Sequence, residues 1–207
     1  MYKFIIKIFV WIHNFSYRLL GILVIKENDG IHPKHRILGY HDFFTNNIAP
    51  SDRVLDIGCG NGACANAIAK KATQVTGIDI SKNNIQIAKE KFSNNNPSYL
   101  IGDATVYDFK ENFDVIILSN VLEHIENRIE FLKKIKKLAP KILIRVPLLN
   151  RDWLSVYKKE KGLEYRLDKT HFIEYSEENF KEEMDKAGLS IENFYVKFGE
   201  LYAIIKK

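Results

Sequence analysis

Short apolar runs alternate with longer amphipathic stretches through the middle of the chain, and this pattern predicts alternating strands and helices. Apolar runs that end in an acid, a glycine or a proline are typical of buried strands in a parallel sheet. The strands predicted in this way span residues 54–57, 75–79, 99–101, a run within 113–124, and 141–146. Two later runs, 191–198 and 201–205, alternate around Gly199 and predict an antiparallel hairpin.

Polar residues mark the starts of the helices between these strands. Ser81 and Ser176 are predicted N-caps, because a hydroxyl can satisfy a free N–H in the first helical turn. Asn127 and Glu130 have the spacing of a capping pair for a third helix. The helix after Ser81 is predicted to end at residue 91, the helix after Asn127 at residue 138, and the helix after Ser176 at residue 188. A helix of small residues is predicted over 63–69, and a loop over 94–97.

The first strand leads into a glycine-rich turn with the spacing G-x-G-x-G, formed by Gly58, Gly60 and Gly62. Glycine lets the backbone turn sharply and lets a ligand approach the main chain, because it has no Cβ. The second strand ends in Asp79, 17 residues after Gly62, where a carboxylate can accept hydrogen bonds from both hydroxyls of a ribose. The turn therefore predicts a nucleotide-like ligand at the carboxyl ends of the strands.

Two common nucleotide sites do not fit this turn. In the dinucleotide fingerprint the third glycine comes one residue later, and a P-loop would continue with Lys-Ser or Lys-Thr. Asp56, two residues before the first glycine, would repel a pyrophosphate but suits a cationic ligand.

The segment from Asp56 through Gly62 resembles motif I of the class I S-adenosylmethionine (SAM) methyltransferases. Three more motifs of that family follow in order: Asp79, the triplet 102–104 and the run 113–124. The resemblance covers roughly residues 50–147. It implies an α/β fold with a Rossmann-like, doubly wound, seven-stranded and mostly parallel sheet whose last strand is antiparallel, here preceded by an N-terminal helical segment. It also implies SAM as the cofactor and methyl transfer as the activity.

The same resemblance implies which residues bind the cofactor. The three glycines are expected to line the methionine and ribose of SAM, Asp79 to hold the ribose, and Asp103 to face the adenine amino group. The full expected set is Asp56, Gly58, Cys59, Gly60, Asn61, Gly62, Asp79, Ile80, Asp103, Ala104, Ser119 and His124.

Composition sets the outer limits of this prediction. The 207 residues, 46% of them apolar, suffice for one well-packed domain. We expect an N-terminal amphipathic helical segment over 1–30 and a methyltransferase domain over 31–207, with an acceptor-side lid over 148–175.

The net charge of +5 is not concentrated into the basic stripe of a dedicated nucleic-acid-binding protein. A disulfide between Cys59 and Cys64 is not expected across so short a span, so a cytoplasmic location is expected.

Residues 4–25 are very apolar, but charged residues interrupt them, which disfavours a membrane-spanning helix. On a helix, Lys3, Lys7, Asn14 and Arg18 fall on one face beside a wide apolar arc. This pattern suits a helix that lies in the interface of the inner membrane face. It also suits a helix that packs on the domain or on the second subunit of a homodimer, and the sequence leaves these alternatives open.

Residues 31–41 lead into the core of the domain and contain three histidines. In the resembling enzymes this segment often folds over SAM, where Lys34 or Arg36 would meet the methionine carboxylate or an anionic acceptor. A solvated turn with surface histidines is the alternative. No acidic or thiol ligand accompanies these histidines, so no metal site is expected.

The lid segment places aromatic rings beside cations at the carboxyl edge of the sheet, as an acceptor pocket requires. Arg151 and Arg166 are expected to bind carboxylate or phosphate groups, since guanidinium binds both in a bidentate manner. A loop of this length inside a compact domain is more often functional than idle. A surface excursion that covers the end of the sheet is the alternative.

A hydroxyl acceptor also requires a base, and histidine has a suitable unperturbed pKa. His171 in the lid and His124 after the fourth strand are the candidate catalytic residues. Asp168, three residues before His171, is expected to orient the ring of His171. For His124 a second role stays open, because Glu-His at this point of the resembling enzymes often shapes the cofactor pocket.

The acceptor is expected to be a small molecule, with a hydroxyl of a sugar, a glycan or a lipid-linked metabolite favoured. DNA is not expected, since Ser119-Asn120-Val121-Leu122 stands where amino-methylating DNA enzymes have Asp/Asn-Pro-Pro-aromatic. A non-catalytic SAM-binding interaction module, or a protein or RNA methyltransferase, remains the alternative.

Overall fold

Seven strands form a single sheet in the computed structural model, which describes residues 2–28, 32–92 and 96–207. The strands are β1 Arg53–Ile57, β2 Gln74–Asp79, β3 Ser98–Ile101, β4 Val115–Ser119, β5 Lys141–Pro147, β6 Ser190–Lys197 and β7 Glu200–Lys206. Their order is β3-β2-β1-β4-β5-β7-β6, with β1 to β5 parallel and β7 antiparallel to both neighbours. The predicted fold class is confirmed.

The helices cover both faces of this sheet. They are α1 Tyr2–Glu27, α2 Lys34–Leu38, α3 Tyr40–Asn46, α4 Ala63–Ala69, α5 Lys82–Phe92, α6 Arg128–Ile135, α7 Trp153–Glu160 and α8 Glu177–Lys186. Within β1, Leu55 and Ile57 pack with residues of α6 and α8, whereas Val54 packs with residues of α3, α4 and α5. Because both faces are covered by helices, the carboxyl ends of the strands are the natural place for a ligand crevice.

The predicted helix caps have mixed outcomes. The Ser81 and Ser176 hydroxyl oxygens each accept a hydrogen bond from a backbone N–H three residues on, at 3.2 Å, which confirms both predictions. The prediction for Asn127 was wrong: its side chain makes no capping bond, and Glu130 pairs with Lys133 instead. The helix that begins there ends at residue 135 rather than 138, where hydrogen bonds between residues three apart replace the α-helical ones.

Helix α1 lies against the domain with most of its residues exposed. Of its residues only Val10 is buried, and by length and composition the helix is apolar enough to cross a membrane. Its docking includes polar contacts: the Asn14 amide donates to the Glu164 carbonyl oxygen at 3.1 Å, and the Lys158 ammonium donates to Asn14 Oδ1 at 2.7 Å. The predicted domain boundary at residues 30 and 31 lies outside the described residues, as do Asn94 and Asn95 of the predicted loop.

The lid segment, residues 148–175, is not a continuous loop as its sequence suggested. It contains α7, which begins after Asp152, and the Asp152 carboxylate caps it by accepting from the Ser155 N–H at 2.7 Å. The lid is joined to the end of β4, because the Phe172 N–H donates to the Glu123 carbonyl oxygen at 2.7 Å. The lid segment therefore lies at the carboxyl edge of the sheet, and its role as an acceptor-side lid stays a prediction.

Candidate cofactor and acceptor site

A cavity of about 970 Å³ opens where β1, β2 and β4 end. Its volume lies within the roughly 300–1,000 Å³ range of small-molecule sites. The wall combines residues from the turn after β1, the segment after β2, the turn after β3 and the segment after β4. This position at the carboxyl ends of parallel strands is the one that the glycine pattern predicts.

The conformation of the glycine-rich turn requires glycine at particular positions. Gly58, Gly60 and Gly62 have φ angles of 68°, 54° and 80°, a conformation that L side chains rarely adopt. A Cβ on Gly58 would lie 2.6 Å from Val121 Cγ2, whereas a Cβ on Gly60 would meet nothing within 4 Å. Steric closeness and backbone conformation thus both require glycine at residue 58, and conformation alone requires it at residue 60.

Asp79 fastens this turn to the end of β2. One of its carboxylate oxygens accepts from the Gly60 N–H at 2.9 Å, and the other accepts from the Ser81 N–H at 2.8 Å. A carboxylate has about four acceptor positions, so the Asp79 oxygens retain capacity for ribose hydroxyls. Asp103 likewise uses Oδ1 to accept from the backbone and hydroxyl of Thr105, at 2.9 and 2.7 Å.

Asp56 lies beneath the turn rather than in the cavity wall. It is 1% exposed, and its Oδ2 has no hydrogen-bond partner among the described residues. Burial, with a smaller contribution from the charge of Asp79, raises the pKa of Asp56 to about 7. Cys59 is also buried, and its sulfur lies 2.8 Å from where a Cβ on Gly77 would be, so it packs the turn against β2.

The predicted cofactor residues divide into two groups by position. Those on the cavity wall are Gly58, Asp79, Ile80, Asp103, Ala104 and His124. Those outside the wall are Asp56, Cys59, Gly60, Asn61, Gly62 and Ser119. The direct roles of all twelve residues stay predictions.

Sequence reasoning missed several polar residues of the wall, namely Ser81, Asn84, Thr105 and Asn120. Each lies within five residues after one of the matched motif residues, so the position just beyond a strand end was a signal that could have found them. Asn120 also has a φ of 56°, which places it at a sharp turn after β4.

These features fit SAM. Glycines at the strand end permit a close approach, a carboxylate with spare acceptor positions stands at the end of β2, and a second carboxylate stands after β3. Lys34 and Arg36 are not among the described residues that line the cavity, so their predicted contact with the methionine carboxylate stays a prediction.

The two candidate catalytic histidines are neighbours. The His124 and His171 rings meet edge to face, with centroids 4.6 Å apart. His124 is partly exposed and lines the cavity, whereas His171 is buried behind it. Burial and the neighbouring His171 lower the pKa of His124 below its usual value. His124 is therefore the one of the pair that a molecule in the cavity can touch.

The prediction that Asp168 orients His171 was wrong. Glu174 does so instead: its Oε1 lies 2.9 Å from His171 Nδ1, and the Glu174 side chain is fully buried. The carboxylate of Asp168 accepts from the Thr170 hydroxyl at 2.9 Å, and the Thr170 oxygen lies 2.9 Å from His124 Nδ1. Asp168 thus acts on His124, through Thr170.

These partners fix the tautomer of both rings. Both oxygens of Glu174 already accept from donors, one from the Leu167 N–H and one from Arg151, so His171 donates its Nδ1–H to this carboxyl group. The single proton of the Thr170 hydroxyl goes to Asp168, so Thr170 accepts from His124 Nδ1–H. In both rings Nε2 is therefore the nitrogen that remains for a ligand or a proton.

Glu123 is the third ionisable group beside these rings. It is fully buried, and neither carboxylate oxygen has a hydrogen-bond partner among the described residues. Burial raises the pKa of Glu123 to about 8.

The lid arginines are already engaged within the protein. Arg151 donates to the Glu174 carboxylate at 2.8 Å and to the Tyr165 carbonyl oxygen at 2.5 Å. Arg166 donates to the Glu164 carboxylate at 2.9 Å. Both side chains therefore organise the lid, and neither presents a free guanidinium to an anionic acceptor.

Comparison with known proteins agrees with this geometry. Residues 32–193 match a family model described as a methyltransferase domain. A ubiquinone biosynthesis O-methyltransferase of Bradyrhizobium diazoefficiens is 36% identical over 118 residues, which are 56% of this chain and 47% of that protein. One of Pelagibacter ubique is 32% identical over 118 residues, 56% of this chain and 49% of that protein. The chain thus spans about half the length of the curated relatives it matches.

Solved structures show the same fold. A SAM-dependent methyltransferase from Methanosarcina mazei aligns with a TM-score of 0.67 at 20% identity, covering 80% of this chain and 96% of that one. The magnesium protoporphyrin IX methyltransferase of Synechocystis, solved with bound SAH, aligns with a TM-score of 0.63 at 19% identity, covering 83% and 80%. The predicted membership of the class I methyltransferases and the predicted SAM cofactor are confirmed at the level of the family.

Proposed function

Because the chain belongs to the family of methyltransferase domains, we propose that it transfers the methyl group of SAM to a hydroxyl oxygen of a small-molecule acceptor. One observation carries the proposal: His124 lines the same cavity as Asp79 and Asp103, so a proton-accepting group and the cofactor residues face one space. The relatives named as O-methyltransferases support oxygen as the acceptor atom.

The protein's part in this reaction is alignment and proton transfer. SAM supplies an electrophilic methyl carbon, whose bond to sulfur breaks with the electron pair left on sulfur as the acceptor oxygen attacks. The glycine turn and Asp79 hold the cofactor in one orientation, which can supply a large share of the rate enhancement. His124 receives the acceptor's proton on Nε2, because its Nδ1 is committed to Thr170.

Two measurements test this proposal. Calorimetric titration with SAM and with NAD separates the two nucleotide ligands, and binding of NAD without SAM would contradict the assignment. Incubation with SAM and a panel of hydroxylated small molecules, both water-soluble and lipid-soluble, followed by mass spectrometry, detects turnover. Tight SAM binding with no methylated product from any acceptor would favour the alternative of a non-catalytic SAM-binding module.

Helix α1 favours an acceptor that resides in or near a membrane. Large apolar side chains such as Phe4, Phe9 and Trp11 are two-thirds exposed or more, and residues 2–26 contain no acid. An apolar arc flanked by lysine and arginine suits the interface of an anionic membrane. We therefore propose that α1 holds the enzyme at the inner face of the membrane.

Deleting residues 1–25 tests the role of α1. The truncated protein should keep SAM binding and lose sedimentation with anionic vesicles. Loss of an oligomer, seen by sedimentation velocity with unchanged vesicle binding, would instead assign α1 to a homodimer interface. If the truncated protein unfolds, the helix belongs to the core and both assignments are wrong.

A further inference from the structure

Three potential metal ligands converge beside the cavity: Glu123, His124 and His171. One ligand atom from each lies within 4.8 Å of the other two. No sequence spacing indicates this cluster, because His171 is 47 residues from His124 in the chain. Glu123 and His124 follow β4, while His171 comes from the lid.

The hydrogen bonds of both histidines suit a metal site. Nε2 is the remaining nitrogen of each ring, because Glu174 holds Nδ1 of His171 and Thr170 holds Nδ1 of His124. Metal-binding histidines commonly donate their second N–H to a carboxylate or another acceptor, which fixes the ring. The cluster therefore already has the outer hydrogen bonds of a metal site.

Glu123 gives an independent indication. A fully buried carboxyl group normally finds hydrogen-bond donors, since leaving it without any costs free energy. Both oxygens of Glu123 lack a partner among the described residues, although the two histidines lie beside it. A bound cation would satisfy these oxygens and offset their burial.

We propose that Glu123, His124 and His171 bind a divalent transition-metal ion at the acceptor side of the cavity. Two histidines and one carboxylate are a known ligand set for catalytic zinc, which keeps a fourth position open for water or substrate. Metal–ligand bonds of about 2.0–2.2 Å place tetrahedral ligand atoms roughly 3.3 Å apart, so the site must contract as the ion binds. His124 and its partner Thr170 are both exposed, so they have room to shift together toward the two buried ligands.

This inference rests on the proposed function, specifies its acceptor and changes one step of it: with the ion bound, His124 is a ligand and no longer the group that receives the proton. His124 lines the cavity, so an ion held by His124 would lie within reach of an acceptor oxygen bound there. A metal ion lowers the pKa of a bound hydroxyl and makes the ionised oxygen available near neutral pH. The acceptor's proton then leaves to solvent, and an acidic hydroxyl such as a phenol or catechol fits best.

The test uses the full chain, first freed of metal by a chelator that is then removed. Titration with Zn²⁺, followed by calorimetry, should show one equivalent bound without SAM present. Titration with Co²⁺ should give the visible absorption of a site with nitrogen and oxygen ligands. In Glu123→Gln and His171→Asn, Zn²⁺ affinity should fall at least 100-fold, and Thr170→Val should weaken it about 10–100-fold by freeing the His124 ring.

His32→Asn is the matched control, because His32 belongs neither to the cluster nor to the cavity wall, and it should bind Zn²⁺ like the parent. Undiminished binding in both Glu123→Gln and His171→Asn, or no stoichiometric binding in the parent, would overturn the proposal. Circular dichroism of each variant shows whether it folds, and His124→Asn, at a partly exposed position, provides a further variant if a buried one does not.

Methyl transfer in the presence of a chelator separates this proposal from the proposed function. SAM binding and full turnover without metal would end the metal assignment and leave the methyltransferase assignment intact. Failure of SAM to bind would end the proposed function, whereas Zn²⁺ binding is measured without SAM and stands or falls independently.

Discussion

The carboxylate of Asp79 accepts a hydrogen bond from the backbone N–H of Gly60 across the gap between the turn after β1 and the end of β2, at 2.9 Å. This bond fixes the spacing between two segments that are 19 residues apart in the chain. The same carboxylate accepts from Ser81, so it organises the N-terminal end of α5 as well. A single side chain thus sets the geometry of the cofactor crevice.

Replacing Asp79 should therefore weaken SAM binding strongly. Asp79→Ala removes a charged acceptor from the crevice, and a hydrogen bond to a charged group contributes about 1.5–3 kcal/mol. We expect an affinity loss of roughly 10- to 150-fold by calorimetry. The exposed Asp108→Asn is the control and should bind SAM like the parent. Equal affinities for Asp79→Ala and the parent would remove Asp79 from the cofactor site.

Alanine at Gly58 should destabilise the fold more than alanine at Gly162. Both glycines have a positive φ, 68° and 63°, so each substitution carries a backbone strain of about 1–2 kcal/mol. Only the Gly58 variant would also push a methyl group against Val121. Urea unfolding should show a further loss of about 1–3 kcal/mol at Gly58. Adding Val121→Ala should recover part of that loss, and no recovery would show that the overlap is not its cause.

The stability of the protein should depend on pH through Asp56. Burial raises the pKa of Asp56 from 3.8 to about 7, so the folded state keeps a proton that the unfolded state loses near pH 4. The contribution of Asp56 to the free energy of unfolding should therefore decrease as pH rises through this window, and stay low above pH 7. Asp56→Asn cannot ionise, so its stability relative to the parent should rise by on the order of a few kcal/mol between pH 4 and pH 8. A constant difference across that range would contradict the assignment.

Weakening the polar contacts of α1 should loosen this helix alone. Asn14 links α1 to the lid through Lys158 and the Glu164 carbonyl, and few apolar contacts hold the rest of the helix. In Asn14→Ala we expect faster hydrogen–deuterium exchange over residues 2–28 and an unchanged melting temperature of the domain. The control is Ser16→Ala, which changes an exposed residue on another face of α1. Protection of α1 equal to that of the parent would show that its apolar contacts suffice.

The sequence predicted the strands and the glycine turn because their signals are local. A buried parallel strand must be apolar along its length, and a turn with positive φ needs glycine, so 54–57 and Gly58 could be assigned from neighbouring residues alone. The seven-stranded order followed from the family resemblance and not from these local patterns. The predicted cap at Asn127 was wrong, because the spacing of Asn127 and Glu130 shows only that a capping bond is possible. Whether the side chain reaches the free N–H depends on the backbone conformation before the helix.

The surroundings of His171 show where sequence information ends. Asp168 and Glu174 are each three residues from His171, so spacing cannot choose between them. In the structure His171 pairs with Glu174, which is buried and accepts hydrogen bonds from Arg151 and from the Leu167 N–H. Asp168 accepts from the Thr170 hydroxyl instead. The meeting of His171 with His124, 47 residues earlier, likewise depends on how the lid packs on the end of β4. Local sequence thus determined which elements form and which residue types the crevice carries, and tertiary packing alone decided which ionisable groups meet there, because contacts between distant segments leave no periodic signal in the chain.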